Sequence, residues 1–447
     1  MDKTDRLRDY GLAFLLYEQG LGICGYELIR ELFIFVKLIL NSYLVLGLVL
    51  FFSCTDDDSQ VEKVQGSKVS SFIVSPDSAI AISNQAIRAI SENSETRSSQ
   101  SERQVSSVKL VNLTSNVETR SQSRKEINSS LYLINYKDSQ GFAIVSSDKR
   151  LRPLYAVSDT GNIAISDTVA NKNLALFFHG VANDIACQSE RTPQLDSVGG
   201  NVSVTLPQVR PMIWKAPRLW GQDAPYNTYC FTTDGKQAQV GCIAVACGII
   251  MTYYEWPWTI DGVRIGWHGF KKYTFDHDVD YVFGKLGEPK QLDMDYGDEA
   301  SGALITNVYR TFERMGCNKP DKLKTFSEDV ICNLLKKNTR KGYGPILVYG
   351  ENVKTGGAHA WVVDGYCKNL SNLENININY ETVLFHCIWG WNGQNNGYFY
   401  LNNGCMGGPV KIVDGYDKGT TATNMYSNLS YIATFVKDSN RGRVTLQ

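Results

Sequence analysis

The chain has 447 residues, 43% of them hydrophobic and 11% aromatic, a composition that builds cores and has room for two or three domains. Its formal net charge of -1 leaves no basic footprint, so nucleic acid is not an expected partner. The 11 cysteines include no CxxC pair, which argues against a zinc ribbon or a thioredoxin-type motif, and no metal or other cofactor is called for.

Residues 1–54 read as an export segment. An apolar run from Leu38 to Phe52 follows Lys37 and ends at Ser53-Cys54, with Asp56–Asp58 just beyond. A small residue and then cysteine after an apolar run resembles a bacterial lipoprotein signal, and the acidic run resembles export tags of surface lipoproteins in the Bacteroides group. Cys54 is then the expected site of a lipid anchor to a membrane, and the protein is expected outside the cytoplasm. The competing reading, a transmembrane anchor, needs about 20 apolar residues, and Asn41 and Ser42 interrupt this run. The residues before Phe33 fit no signal pattern, so the start codon is expected downstream of Met1.

Residues 55–205 read as a first domain with its linker. Ser75–Ile90 places apolar residues at helical spacing behind Ser/Asp caps. Alternation then predicts short antiparallel strands at Leu131–Tyr136, Gly141–Ser146 and Leu154–Val157, and a second helix is expected over Asn171–Gln188. Residues 189–205 have linker composition. Nothing in this part forms a chemical constellation.

The second domain, 206–447, opens with a tryptophan-rich stretch and then Gly241-Cys242, which begins a helix apolar on nearly every face and ends before Pro257. A helix with no polar side belongs in the middle of a domain. Further helices are predicted at Ala300–Met315 and Ser327–Lys337. Strands follow at Gly344–Tyr349, His359–Tyr366, Thr382–Trp389 and Tyr431–Val436. Helices first and an antiparallel sheet afterwards is a segregated α+β pattern.

A thiol at a helix N-terminus meets unpaired N–H groups and the positive dipole end, which favour the thiolate. Cys242 is therefore either a nucleophile or one more buried small residue. A thiol nucleophile needs a base, and only His179, His268, His277, His359 and His386 exist. His359 opens a strand after Thr355-Gly-Gly-Ala358 and is the best placed. His386 lies inside a strand and reads as structural. Cys247, five residues along the helix, is turned away from Cys242 and reads as packing. In Trp220-Gly-Gln-Asp-Ala-Pro-Tyr-Asn227, Gln222 is a candidate side-chain donor for an oxyanion, although most loop glutamines are merely solvated.

Taken together, Gly241–Pro257, Trp220–Asn227, Ser301-Gly-Ala303, Gly356–Tyr366 and Phe385–Gly393 resemble the streptopain family of bacterial cysteine peptidases, in that family's order. Leu131–Tyr136 and Gly141–Arg150 are similar to its inhibitory propeptide. The resemblance implies a papain-like α+β catalytic domain behind an α+β propeptide, made as a zymogen that cleaves protein or peptide substrates. It implies Cys242 as nucleophile, His359 as general base and acid, Gln222 as oxyanion donor and Trp389 as the aromatic packed on the histidine. Two positions depart from the family: Ala358 stands where glycine is usual, and Ile388 where asparagine is common. These departures favour the main alternative, a surface-anchored binding lipoprotein that keeps the fold without turnover. Acyl transfer by the same dyad is a third reading.

Overall fold

A computed structural model describes residues 72–91, 103–118, 124–164, 200–297, 300–315, 317, 323–336, 344–351, 358–373 and 379–401. Six helical positions between 178 and 188 and strands at 410–414, 420–422, 428–432 and 445–446 complete it. The export-segment reading, including Cys54, lies outside the described residues, as does His179.

The first helix, α1 (Pro76–Ser91), is held at its start by the Ser75 hydroxyl, which accepts from the Ser78 N–H at 3.1 Å. It packs on a meander of four antiparallel strands: β1 (Val105–Glu118), β2 (Arg124–Tyr136), β3 (Phe142–Ser146) and β4 (Leu154–Ser158). The sequence pattern gave β2 only from Leu131 and did not give β1. The upstream half of β2 is polar, whereas β1 does carry apolar residues, with Val111 and Leu113 buried in the core; the pair runs from Val105↔Tyr136 to Glu118↔Arg124. Residues 178, 181, 182, 184, 185 and 188 are helical, in line with the expected second helix.

Part of the expected linker is a strand instead. Residues Gly200–Val209 form β5, paired antiparallel with the second half of a long later strand. Linker composition misled here: Val202, Val204 and Leu206 alternate with polar residues as in a strand, a pattern passed over beside the glycine pair, and the pairing partner lies about 160 positions away in sequence.

The buried helix α2 (Cys242–Tyr254) comes next, and ten of its thirteen residues are buried. The short strands β6 (Thr259–Ile260) and β7 (Val263–Arg264) follow. Then come α3 (His277–Gly287), which the sequence reading did not single out, β8 (Asp295–Tyr296) and β9 (Ser301–Gly302). The predicted helices appear as α4 (Ile305–Arg314) and α5 (Glu328–Lys336), separated by β10 (Lys324–Thr325). Strand β11 (Ile346–Glu351) leads to β12 (Ala358–Leu373), β13 (Asn379–Ile388) and β14 (Gly397–Phe399). Strands β15 (Val410–Asp414), β16 (Thr420–Ala422), β17 (Asn428–Ile432) and β18 (Thr445–Leu446) end the chain. Residues 433–436 of the expected last strand lie outside the described residues.

One sheet runs β10-β17-β11-β12-β13-β14-β4-β3-β2-β1-β15-β16, with β5 added on β12. The two halves of the chain thus share a sheet, joined where Phe399 pairs with Ala156 and Gly397 with Ser158. Gly397 has to be glycine there. Its φ is 150°, and a Cβ would lie 2.4 Å from the Val157 carbonyl oxygen. Two cores result. One spans the first-half meander and one face of the β11–β14 strands. The other surrounds α2 and takes Ala360, Val362 and Ile388 from the opposite face. No described helix is long and apolar enough to cross a membrane.

Candidate active site

The turn before α2 fixes where the Cys242 thiol points. Gly241 has φ 86°, and a Cβ on it would meet Met294 Cε at 2.4 Å and the Ser301 carbonyl oxygen at 3.0 Å. Only glycine fits this left-handed, crowded position. The helix then starts at Cys242 itself, which is half-buried while Cys247 is fully buried. Burial pushes the Cys247 thiol far up, in keeping with a packing role.

The Cys242 sulfur accepts the backbone N–H of Ala360 at 3.4 Å. Burial raises this thiol's pKa, and the N–H groups of Ala360, Ile243 and Cys242 itself act against that rise without overcoming it. The helix start alone therefore does not make a thiolate here.

His359 is the residue before Ala360, so strand alternation sends its ring to the other face of β12. There it lies among three indoles: Trp361 at 5.9 Å and 14°, Trp389 at 6.4 Å and 29°, and Trp391 at 5.1 Å and 31°. The ring is 4% exposed, and its burial lowers the pKa to about 3 against the raising effect of the Trp389 carbonyl. It is neutral at pH 7. Because a carbonyl can only accept, Nε2 carries the proton and donates to the Trp389 oxygen at 3.1 Å, leaving Nδ1 bare. No hydrogen bond joins this ring to the Cys242 thiol. The structure thus brings Cys242 to the backbone of β12 beside His359, with the two functional groups on opposite sides of the strand.

Gln222 sits on the loop that leads into the same turn. Its carbonyl accepts from Val240 N–H at 2.9 Å, one residue before Gly241. The neighbouring Trp220 is buried, donates Nε1–H to Thr274, and accepts the Asn392 N–H on its carbonyl at 3.0 Å. Gly221 lies so close to Asn392 that a Cβ would come within 2.2 Å of its side-chain oxygen. These bonds tether the Gln222 loop to the 390–393 turn.

Trp389 is fixed by Asn396, which the sequence reading passed over. The Asn396 Oδ1 accepts the Trp389 N–H at 3.0 Å, and its Nδ2 donates to the Arg218 carbonyl at 2.8 Å. Trp389 Nε1–H donates to the Asn395 carbonyl at 2.9 Å. Trp361 and Trp391 were also missed. Their spacing of two from His359 and Trp389 was the available signal, since such positions share a strand face or its continuation. Ile388 faces the other way, fully buried among the residues around α2. Ala358, at the first position of β12, is exposed.

Of the remaining histidines, His268 and His277 are exposed. His386 is fully buried, with Nδ1 2.5 Å from Asp364 Oδ1 and Nε2 3.4 Å from Asp159 Oδ2.

Comparison with known proteins bears on this arrangement. The peptidase C10 family matches residues 220–288 and 289–399, a span that includes Cys242, His359 and the tryptophan cluster. The Spi protease inhibitor family matches residues 71–185. Over residues 220–399 the chain is thus similar to the peptidase C10 family. The chain is 23% identical over 311 residues to streptopain of Streptococcus pyogenes, covering 59% of this chain and 71% of the relative. It is 27% identical over 217 residues to the thiol protease/hemagglutinin PrtT of Porphyromonas gingivalis, spanning 42% of this chain and only 23% of that protein. Among solved structures, a prointerpain A fragment from Prevotella intermedia matches at a TM-score of 0.44 and 20% identity, over 71% of this chain and 98% of the fragment.

Proposed function

We propose that the chain is the zymogen of a cysteine endopeptidase, with residues 55–205 as propeptide and linker and 206–447 as catalytic domain. Cys242 attacks the peptide carbonyl, and His359 takes the thiol proton and delivers it to the leaving amine. Water then hydrolyses the thioester. Gln222 and the Cys242 N–H would hold the oxyanion, and Trp389 would pack on the working imidazole. The observation that carries this reading is the first-turn Cys242 behind an obligatory glycine, its sulfur against the strand that bears His359, inside a C10 match.

The full-length chain reads as the latent form. A thiol raised by burial and an imidazole that is neutral on the far face do not make an ion pair. Activation then requires the His359 ring to cross to the α2 side of β12, with Ala360 N–H keeping the sulfur in place meanwhile. The inhibitor domain is the chain's own partner, and protein or peptide segments are the substrates. Export and a lipid anchor at Cys54 complete the proposal for a surface or secreted bacterial protein.

The test is intact mass of the purified chain before and after incubation with reductant, for the parent and for Cys242→Ala. Processing of the parent with an inert variant supports the proposal. Normal processing of Cys242→Ala, free of other proteases, overturns it.

The alternative, a binding lipoprotein without turnover, draws on the same separation of thiol and imidazole. It is distinguished by thiol labelling of the processed chain, described below.

A further inference from the structure

His386 stands where the inhibitor match and the C10 match meet. It lies on β13, opposite Gly365 of β12, and its Nδ1 faces the fully buried Asp364 at 2.5 Å. Asp364 is itself fixed, because it also accepts the Ile213 N–H at 2.8 Å. The other ring nitrogen meets Asp159, one residue past β4 in the inhibitor domain, at 3.4 Å.

Two carboxylates at the two ring nitrogens impose a protonation state. A neutral imidazole has one N–H, which Asp364 takes, and a bare lone pair would then confront the Asp159 carboxylate. Only the imidazolium donates at both ends.

Asp159 reaches this place only while the inhibitor domain is docked. Its N–H donates to the Asn396 carbonyl at 2.7 Å, Ser158 Oγ donates to the same oxygen, and Thr160 Oγ1 donates to Gly393. These bonds continue the β4–β14 ladder directly beside the ring.

We propose that the Asp159–His386 contact makes inhibitor docking proton-coupled: the domain is held more tightly with His386 protonated, and the β4–β14 ladder opens more readily as the pH rises.

The other groups facing the ring do not mask this effect. The Tyr398 ring is edge-on at 5.1 Å, and its hydroxyl is pushed far up by burial. The Cys367 thiol is pushed up to about 12 and the Cys387 thiol also rises, both by burial, so neither titrates near neutrality. Arg218 opposes protonation of the ring, as burial does more strongly. Asp364 and the bonds to both carboxylates outweigh them, so the net direction for His386 is upward, and the Asp159 bond is the part of that rise that the docked inhibitor domain supplies. Asp364 is held down by its partner despite burial and stays ionised. For a group raised on docking, the added affinity is complete below its undocked pKa and is lost as pH rises through the docked one. Acid therefore tightens the latent form and alkali loosens it. This regulation rests on reading residues 71–185 as the inhibitor, not on turnover.

The test uses the full chain carrying Cys242→Ala, with and without Asp159→Asn, between pH 5.5 and 9. The His386 titration is followed by NMR, and opening of β4–β14 by hydrogen exchange corrected for intrinsic rates. In the parent, His386 should titrate at higher pH than in Asp159→Asn. Ladder opening should rise with pH by up to about tenfold per unit, the limit for one proton, and should be flat in Asp159→Asn. An unchanged His386 titration, or opening with the same pH dependence in both chains, overturns the proposal. Since neither chain turns over, a failure here is separate from a failure of the peptidase assignment.

Discussion

The Cys242 sulfur is bound by the backbone N–H of Ala360, at 3.4 Å, and not by the imidazole of the adjacent His359. One step along a strand thus separates the residue whose N–H holds the proposed nucleophile from the residue that carries the proposed base, whose ring is bonded to the Trp389 carbonyl instead. The first consequence concerns reactivity. In the full chain Cys242 should react with iodoacetamide or an epoxide no faster than an ordinary thiol, and faster as pH rises, since burial raises its pKa. In the processed chain it should be labelled at pH 6 at least about tenfold faster than the other cysteines. Uniform sluggish labelling after processing would favour the non-catalytic reading.

Stability should fall on acidification through His359. Its pKa, lowered by burial to about 3, lies below the unfolded value, so the neutral ring's contribution is present above about pH 6.5 and is lost as pH falls towards 3. The loss amounts to roughly 3–5 kcal/mol at the acid end. His386 contributes with the opposite sign, its part being lost as pH rises. Denaturant titration of Cys242→Ala from pH 7 to 4 should show the fall, and His359→Gln should flatten it.

Gly241→Ala should destabilise the catalytic half by about 1–3 kcal/mol, through left-handed strain and collision with Met294 and Ser301. Urea unfolding measures this directly. A neutral result would mean that the turn can rearrange, and the thiol's position would no longer depend on it.

Tyr400 offers a separate handle on inhibitor docking. Its hydroxyl donates to Asp184 at 2.7 Å, and Arg152, paired with the same carboxylate at 2.9 Å, lies 4.7 Å over its ring. Tyr400→Phe keeps the ring and removes the bond, leaving a nearly buried carboxylate with one donor fewer. It should weaken docking by about 1–3 kcal/mol and accelerate self-processing, read as the time course of intact mass. An unchanged time course would show that this cluster does not hold the zymogen closed.

The helix around Cys242 was legible in sequence because its whole surface is apolar and a glycine precedes it. The β11–β13 strands were legible because both faces are buried and they read as continuous apolar runs. What the sequence did not reveal was made by distant partners. β1 and β5 carry short apolar alternations, Val111 with Leu113 and Val202 with Val204 and Leu206, set among serine, threonine and asparagine, and their partners become visible only in the fold. Asn396 looks like one more turn asparagine, and its bonds to Trp389 and Arg218 exist only after folding. The sequence also placed His359 at the right strand end, yet whether its ring faces the thiol depends on strand parity and on three tryptophans. The resemblance predicted one of these, Trp389, while the Trp391 ring lies closer.

The sheet order has a mechanical consequence. The inhibitor's four strands are bordered by strands from the second half of the chain on both sides, β14 against β4 and β15 against β1, and only residues 400–409 link those two borders. Cutting the chain between the domains would therefore not free the inhibitor, because it is threaded into the fabric as a panel and not laid along a hem. Two seams must part, and the escape resembles partial unfolding: slow, steeply dependent on temperature, and hard to reverse once the margins have come together.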